Sequence, residues 1–300
     1  MNIVVVGTIA FDDVVTDHGT VNDTPGGSAL YFSAAASMFV PVNVVGVLGD
    51  DFPVDILEFL RGRGVNTNCL DIVEGGKTFR WGGEYETDMN IRKTTNLELN
   101  VFNDFNPVLD EECRKSKYVF LGNITPELQL EVLRQVESPE FVVADTIEVY
   151  IQNDREALLK VLDKVNMLMI NDEEARLLTG EHNVITASKA LMRFGLDYVI
   201  VKKGEHGSIL VSKDDLFIFP AYPIDEVIDP TGAGDTYGGA AMGYIARANS
   251  IDIETIKSAA VYGGIVASYT VQDFSIDRMK TLTIDDIDKR LEIFRNITSF

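Results

Sequence analysis

From residue 118 to residue 201 the chain alternates short apolar runs with amphipathic segments, and this alternation restricts the fold more than any other feature. The four apolar runs cover residues 118–121, 141–144, 167–170 and 198–201. Each has the length of a buried strand, and the segments between them carry helical periodicity. Alternating strands and helices are typical of a mostly parallel sheet with helices on both faces. The sequence therefore predicts an α/β fold with a three-layer α/β/α core.

A different pattern fills residues 72–102, where polar and apolar side chains alternate as in half-exposed antiparallel strands. Glycines at positions 75, 76, 82 and 83 supply turn signals, and residues 14–24 have the composition of a short hairpin. We interpret these stretches as a small β-sheet that partly stands off the main domain. The predicted boundaries are residues 13–30 and 72–103 for the small sheet, and residues 1–12, 31–71 and 104–300 for the core.

The charge balance excludes one broad class of partner. The 300 residues include 26 Lys and Arg against 47 Asp and Glu, which gives a formal net charge of −21. A protein that binds a polyanion needs a basic face, so we expect no binding to nucleic acid. A small anionic ligand stays compatible with this charge, because nearby amides, lysines and a bound cation dominate the field at short range.

The sequence predicts neither a membrane segment nor an export signal. Residues 1–7 are apolar without a basic region, which is typical of a buried strand. The uncharged run from residue 28 to residue 49 is broken by Pro41 and Asn43 into halves too short to cross a bilayer. Cys69 and Cys113 are far apart in the sequence and lack the spacing of metal ligands. We interpret them as reduced thiols of a cytoplasmic protein, with a disulfide as the less favoured alternative.

Polar side chains follow the predicted strands at the points where the strands end. They are Asp12, Asn123, Asp145, Asn171 and Lys202. Each alone could be a cap or a turn former. Because ligands of open α/β sheets bind at the carboxyl ends of the strands, the five together indicate a cleft, and we assign Asn123 to the substrate.

The segment Asp229-Pro230-Thr231-Gly232-Ala233-Gly234-Asp235 precedes a long apolar run. A helix that begins there points its free amides, and the positive end of its dipole, into the loop, which suits a phosphoryl group in transfer. Asp235 would repel a phosphate unless it has a role of its own. It is either a general base for an acceptor hydroxyl, or a capping residue beside glycines needed only for close packing.

Three further motifs occur in order before this segment. They are Gly26-Gly27 ahead of an apolar helix, Asn171-Asp172-Glu173-Glu174 followed by Leu178-Thr179-Gly180, and Val201-Lys202-Lys203-Gly204-Glu205-His206-Gly207. With these four motifs the chain resembles the ribokinase-like (PfkB) family of sugar and nucleoside kinases over essentially its full length.

The resemblance implies a nucleotide-binding core and a small β-sheet lid that closes over the acceptor of a phosphoryl group from ATP. It implies that Asp235 is the base, with the amides of Gly232, Ala233 and Gly234 as anion hole. The remaining implied contacts are Asn171 and Glu174 with Mg²⁺ through water, Thr186, Lys202, Gly204 and Gly207 with the nucleotide, and Asp12, Gly26 and Gly27 with the acceptor hydroxyls. Asp229 matches a position that, in some members, helps to bind a monovalent cation such as K⁺.

Several residues depart from the family pattern or have an open role. Tyr31 stands where ribokinase-type members carry a sugar-binding asparagine. In the predicted lid, Trp81 could stack on a base or cover a sugar face, and Arg80 or Arg92 could meet an anionic group. The alternative is that these lid side chains only pack or form a dimer contact. Tyr262 lies either near the adenine or in the core.

We therefore predict an ATP-dependent, Mg²⁺-requiring kinase that phosphorylates a hydroxymethyl group of a small sugar. The first alternative is a nucleoside kinase of the same family, and the second is a small-molecule sensor on a kinase fold without catalytic activity. Since an exposed sheet edge invites pairing, a homodimer through the lid is a further expectation.

Overall fold

In the computed structural model, which describes residues 2–299, the chain forms one large sheet, one small sheet and the helices that cover the large sheet. The strands are β1 (Ile3–Val6), β2 (Ala10–Thr16), β3 (Gly19–Gly26), β4 (Val42–Gly49), β5 (Val65–Val73), β6 (Phe79–Tyr85), β7 (Arg92–Glu98), β8 (Tyr118–Leu121), β9 (Phe141–Asp145), β10 (Met167–Asn171), β11 (Tyr198–Lys202), β12 (Ser208–Ser212) and β13 (Leu216–Phe219).

The helices are α1 (Ser28–Ala36), α2 (Val54–Gly62), α3 (Glu111–Arg114), α4 (Pro126–Gln135), α5 (Glu148–Asn153), α6 (Arg155–Leu162), α7 (Asp172–Thr179), α8 (Val184–Leu191), α9 (Ala233–Ala248), α10 (Ile253–Thr270), α11 (Asp277–Thr281) and α12 (Ile284–Thr298). Short 3₁₀ turns cover Asn100–Asp104, Met192–Phe194 and Gly204–His206.

The large sheet has the order β13-β12-β11-β10-β9-β8-β1-β4-β5. Neighbours from β5 across to β11 pair in parallel, whereas β12 and β13 form an antiparallel hairpin at one edge. Alternate residues of β1 enter two separate cores: Ile3 and Val5 pack with α1, α9, α10 and α12, while Val4 and Val6 pack with α4, α6, α7 and α8. The predicted α/β class with a three-layer core is therefore confirmed.

The small sheet has the order β3-β2-β6-β7, and we call it the lid. Its outer pairs are antiparallel, but β2 and β6 pair in parallel, so the sheet is mixed. The glycines at 82 and 83 were predicted to form a turn, but they lie inside β6. The indole ring of Trp81 covers Gly83, where an added Cβ would overlap it. Here glycine serves packing rather than chain reversal.

Helices α1 and α9 pack closely because small residues line their interface. A Cβ added at Gly239 would overlap the backbone of Phe32, and one at Gly243 would lie 3.1 Å from the carbonyl oxygen of Ala36. This close packing holds the start of α9, and with it the loop at residues 229–235, against the sheet beside the ends of its strands.

Three further features of the fold concern the cysteines, the membrane and the edge of the lid. The sequence gives no local signal that Cys69 and Cys113 meet, yet their Sγ atoms lie 2.7 Å apart between β5 and α3. No helix within residues 2–299 combines the length and apolar character needed to cross a bilayer. Strand β7, an edge of the lid, is exposed along its length, and dimerisation through it stays a prediction.

Candidate active site

Helix α9 begins at Ala233, immediately after a glycine in the left-handed conformation. Gly232 has φ 73°, and a Cβ there would overlap the ring of Tyr31, so both backbone strain and packing require glycine. The amide of Ala233 donates to the carbonyl of Pro230 at 3.2 Å. Within the described part of the chain the amide of Gly234 has no protein acceptor. The loop is partly open to solvent and can therefore receive an anion.

Asp235 lies in the first turn of α9 and is half-buried. Burial raises the pKa of its carboxyl to about 7, and the negative charge of Asp145 acts in the same direction. Lys202 and Arg92 act against this rise. A carboxyl group with a pKa near 7 is half ionised at neutral pH, which is the condition a general base requires.

Lys202 and Asp145 form an ion pair across the ends of β11 and β9, with Nζ and Oδ2 2.7 Å apart. Burial acts to lower the pKa of Lys202, but the charges of Asp145, Glu174 and Asp235 outweigh it and raise the pKa. A Cβ at Gly234 would lie 3.1 Å from the lysine Nζ. The ammonium group therefore lies directly beside the start of α9.

Asn171 and Glu174 form a capping box at the start of α7. The Asn171 side chain accepts from the Glu174 amide at 2.8 Å, and the Glu174 carboxylate accepts from the Asn171 amide at 3.0 Å. Burial and the charge of Asp145 raise the pKa of Glu174 to about 8. A cation bound nearby would therefore stabilise the ionised form of the Glu174 carboxylate.

Asp12 lies on strand β2 of the lid, and 4% of its surface is exposed. Burial, followed by the charges of Asp229 and Asp235, raises its pKa to about 8, while the facing amide of Gly27 acts to lower it. A Cβ at Gly26 would overlap its carboxylate. Three carboxylates, Asp12, Asp229 and Asp235, are thus near enough to affect one another.

The lid presents three side chains on the same face as Asp12. In the parallel pairing of β2 with β6, Asp12 lies beside Trp81. The guanidinium of Arg92 lies 5.0 Å from the centre of the indole ring of Trp81. The hydroxyl of Tyr85 is 3.0 Å from Oγ1 of Thr231, in the loop at residues 229–235 that we call the anion-binding loop because an anion could be received there. Arg92 also acts on the pKa of Asp235 and Glu174, so its charge reaches the core side of the cleft.

Arg80 lies on the other face of the lid. Its guanidinium is 4.8 Å from the ring centre of Phe11 and pairs with Asp23. Tyr31 is 1% exposed, and its hydroxyl has no hydrogen-bond partner within residues 2–299. The structure therefore does not bring Arg80 into the cleft and leaves Tyr31 behind the anion-binding loop.

Two of the residues predicted to bind the nucleotide are glycines that follow β11. Gly204 and Gly207 have positive φ angles in the turn after β11, and Asn90 at the tip of the lid contacts Gly204. A Cβ at Gly207 would overlap the backbone from Phe219, the last residue of β13, to Ala221. That segment lines a groove of about 830 Å³ together with Tyr262.

Thr186, predicted to bind the nucleotide, lies in the first turn of α8, and Asn123, predicted to bind the substrate, follows β8. The Thr186 hydroxyl donates to the carbonyl of Asn183 at 2.8 Å within its own helix turn, and no contact joins it to the residues above within the described ranges. Asn123 follows β8, and its Oδ1 is buried without a hydrogen-bond partner among residues 2–299. Such an acceptor is available to a ligand.

Asp229 is 1% exposed, and its Oδ1 accepts from the amide of Thr231 at 2.8 Å. Burial raises its pKa, and Thr231 acts against this rise. A carboxylate buried in this way needs a proton or a cation to offset its desolvation.

Two residues of the cleft were not assigned a role from the sequence. Asp145 was placed at a strand end, but nothing in the chain predicted its ion pair with Lys202. Tyr85 was not singled out, because its contact with Thr231 depends on how the lid docks onto the core. An aspartate and a lysine that end two buried parallel strands of one sheet are a signal that could have found the first.

A helix start with a free amide, a carboxylate with a pKa near 7 and a cationic lid side chain form an arrangement that suits group transfer on an α/β core. Residues 1–278 match the pfkB family of carbohydrate kinases, and the chain belongs to this family. The predicted family and the predicted enzyme class, a phosphotransferase with an alcohol group as acceptor, are confirmed.

The chain is similar to the cytidine kinase of Thermococcus kodakarensis, with 28% identity over 263 residues, 84% of this chain and 91% of that protein. It is 26% identical to the nucleoside kinase of Methanocaldococcus jannaschii over 281 residues, 90% of this chain and 88% of that protein. A putative ribokinase II from E. coli, solved in complex with ATP and Mg²⁺, superposes with a TM-score of 0.80 at 19% identity, covering 97% and 99% of the two chains. The chain is thus a sugar or nucleoside kinase.

Proposed function

We propose that this protein transfers the γ-phosphoryl group of ATP to the hydroxymethyl group of a nucleoside, with Asp235 as general base. The observation that carries the proposal is the position of Asp235. Its carboxyl, with a pKa of about 7, is near enough to the carboxylate of Asp12 and to the ammonium of Lys202 to affect the pKa of both. An alcohol held by Asp12 can lose its proton to Asp235 as it attacks a phosphoryl group beside the lysine.

The start of α9 stabilises the transferred group. The free amide of Gly234, the dipole of α9 and the ammonium of Lys202 all offer positive potential on one side of the loop. The ion pair with Asp145 keeps the lysine extended toward this point. Positioning and charge neutralisation are the main requirements of phosphoryl transfer, and both are met by groups held on rigid elements.

The donor side of the cleft suits ATP with Mg²⁺. The groove beside Tyr262 adjoins the Gly204–Gly207 turn and is large enough for an adenine base, so the phosphates would extend from it toward Lys202. Glu174 would hold Mg²⁺ through water, since burial and the charge of Asp145 raise its pKa and a bound cation would stabilise the ionised carboxylate. When bound, Mg²⁺ neutralises the charge of the phosphates.

The lid favours a nucleoside as the acceptor. Trp81 lies in register with Asp12 on the cleft face, so a base could stack on the indole while the ribose hydroxyls reach the carboxylate. The relatives named above as cytidine and nucleoside kinases agree with this choice. A small sugar is the second candidate, because Arg92 already covers one face of the indole and offers donors to sugar hydroxyls.

Asp229 would be offset by a monovalent cation behind the anion-binding loop. Its carboxylate is buried and its pKa is raised by that burial, so a cation such as K⁺ would stabilise the ionised form. Activity measured in sodium-free and potassium-free buffer, and then with each ion added, tests this part independently of the acceptor.

The acceptor is tested with a coupled assay for ADP release, using cytidine, adenosine, ribose and fructose. We expect the nucleosides to give the highest kcat/KM. Since base stacking on an aromatic ring contributes roughly 1–3 kcal/mol, Trp81→Ala should raise the KM for cytidine by about five- to 150-fold. Trp81→Phe is the matched control and should keep most of the affinity.

Faster turnover of ribose or fructose than of either nucleoside, with no effect of Trp81→Ala on the KM, would assign the sugar instead. Absence of ADP release with every acceptor would contradict the whole proposal.

A further inference from the structure

The two cysteines of the chain lie in contact, and the lid strands β6 and β7 lie between them in the sequence. Cys69 lies in β5, the last strand before the lid insertion, and Cys113 lies in α3, after the chain has returned from it. Both are buried, at 9% and 1% exposure, and both are free thiols whose Sγ atoms lie in contact. Neither touches the catalytic group at Asp235, so the catalytic cleft gives no reason for their contact.

The surroundings of the two sulfur atoms argue against a metal centre. The third candidate ligand is Asp110, whose Oδ1 already accepts from the amide of Cys113 at 2.8 Å as the cap of α3. The amide of Asp110 in turn donates to Sγ of Cys69 at 3.3 Å. A structural zinc site needs four ligands, whereas this cluster within residues 2–299 has three, one of them engaged in capping.

We propose that Cys69 and Cys113 are an oxidisable pair that forms a reversible disulfide closing the chain around the lid insertion. The two residues are 44 positions apart, and the strands β6 and β7 lie between them. A covalent link there would join the two ends of the insertion at the edge of the core. Cross-linking a loop of this length removes many conformations from the unfolded chain and should stabilise the fold.

The two thiols differ in a way that assigns their order of reaction. The amide of Asp110 donates a hydrogen bond to the sulfur of Cys69, which favours the thiolate of that residue. Cys69 is also the more exposed of the two thiols. Cys69 is therefore the attacking thiolate and Cys113 the resolving thiol.

The oxidant in this scheme is a low-molecular-weight disulfide. The Cys69 thiolate attacks one of its sulfur atoms, forms a mixed disulfide and releases one small thiolate. Cys113 then loses its proton and attacks Sγ of Cys69, which expels the second small thiol. The protein loses two electrons and two protons, and the small disulfide gains them as two thiols.

The test compares the full-length wild type after equilibration in reduced and in oxidised glutathione. Free thiols are titrated under denaturing conditions, the intact mass is measured, and the midpoint of thermal unfolding is recorded. We expect the oxidised protein to lack both free thiols, to be lighter by two hydrogen atoms and to unfold about 5–10 °C higher. Cys69→Ser and Cys113→Ser are the matched controls and should show no redox-dependent shift of the midpoint.

Three outcomes would overturn the proposal. Two thiols that remain free in oxidised glutathione would show that the pair does not react. A stable glutathione adduct without an internal bond would show that the resolving step fails. Thiols that become reactive only after a chelator removes bound zinc would make the pair a metal site. The mass measurement needs no variant, so the proposal stays testable if a serine variant fails to fold.

Discussion

The core side and the lid side of the cleft hold their functional groups by different means. On the core side, Asp145, Asn171 and Lys202 end adjacent parallel strands, and buried hydrogen bonds and an ion pair hold them. On the lid side, Tyr85 reaches the core through a single hydrogen bond, and Arg92 lies on an exposed edge strand. The core wall is therefore held by contacts within one sheet, whereas the lid wall depends on contacts between separate segments of the chain.

This difference divides the work of the enzyme. Groups that stabilise a developing charge are most effective when they are held in place before the reaction, which the sheet provides. We expect the lid to open when it admits the acceptor, because its contacts with the core join separate segments and Arg92 lies on an exposed strand. We therefore expect substitutions on the core side to lower kcat, and substitutions on the lid side to change substrate affinity or the electrostatics of closure.

The largest effect should follow Asp235→Asn, which removes the proposed base and preserves the shape of the core wall. General bases contribute ~10²–10⁴-fold, so kcat should fall at least a hundredfold. Acceptor binding, measured by calorimetry without ATP, should change little because Asp12 remains. A variant that keeps more than about a hundredth of the wild-type kcat would show that Asp235 is not the base.

A smaller effect is expected from Arg92→Gln, which tests whether the lid acts on the core. Arg92 lowers the pKa of Asp235, so its loss should raise that pKa. Since the base works only when deprotonated, the acidic limb of the pH–rate profile should move to higher pH by up to about one unit. Activity at pH 6.5 should therefore fall by up to about tenfold, with a smaller loss above pH 9.

Arg80→Gln is the matched control for this shift. Arg80 is also a lid arginine, but it lies on the opposite face, paired with Asp23. Its replacement should leave the acidic limb in place. Equal shifts in both variants would mean that the lid charge acts through the general field and not from the cleft face.

The same division explains how much the sequence could predict. Asn171 and Lys202 were found because an apolar run ends at each of them, and the topology of a parallel sheet brings such ends together. The fold class followed from the same periodicity. The cleft-facing side of the lid was not predicted, because it depends on the parallel pairing of β2 with β6, two strands far apart in the chain.

Other contacts escaped prediction for the same reason. The glycines at 82 and 83 carry a local turn signal, yet they serve the packing of Trp81 inside a strand. The contact of Cys69 with Cys113 and that of Tyr85 with Thr231 join separate segments and leave no local pattern. What a single strand or helix determines could be predicted, whereas what two distant segments determine together could not.

The smallest effect should follow Tyr85→Phe, which removes the hydroxyl that joins the lid to Thr231 in the loop before α9. A hydrogen bond of this kind contributes about 0.5–1.5 kcal/mol, so the KM for the acceptor should rise roughly two- to tenfold. Because the core wall is untouched, kcat should change little. Thr231→Val removes the same hydrogen bond from the other side, and the double variant should be no worse than either single variant if the two hydroxyls act only on each other. A fall in kcat equal to that in kcat/KM would instead place the lid contact in the transition state, and the division between a catalytic core and a binding lid would have to be abandoned.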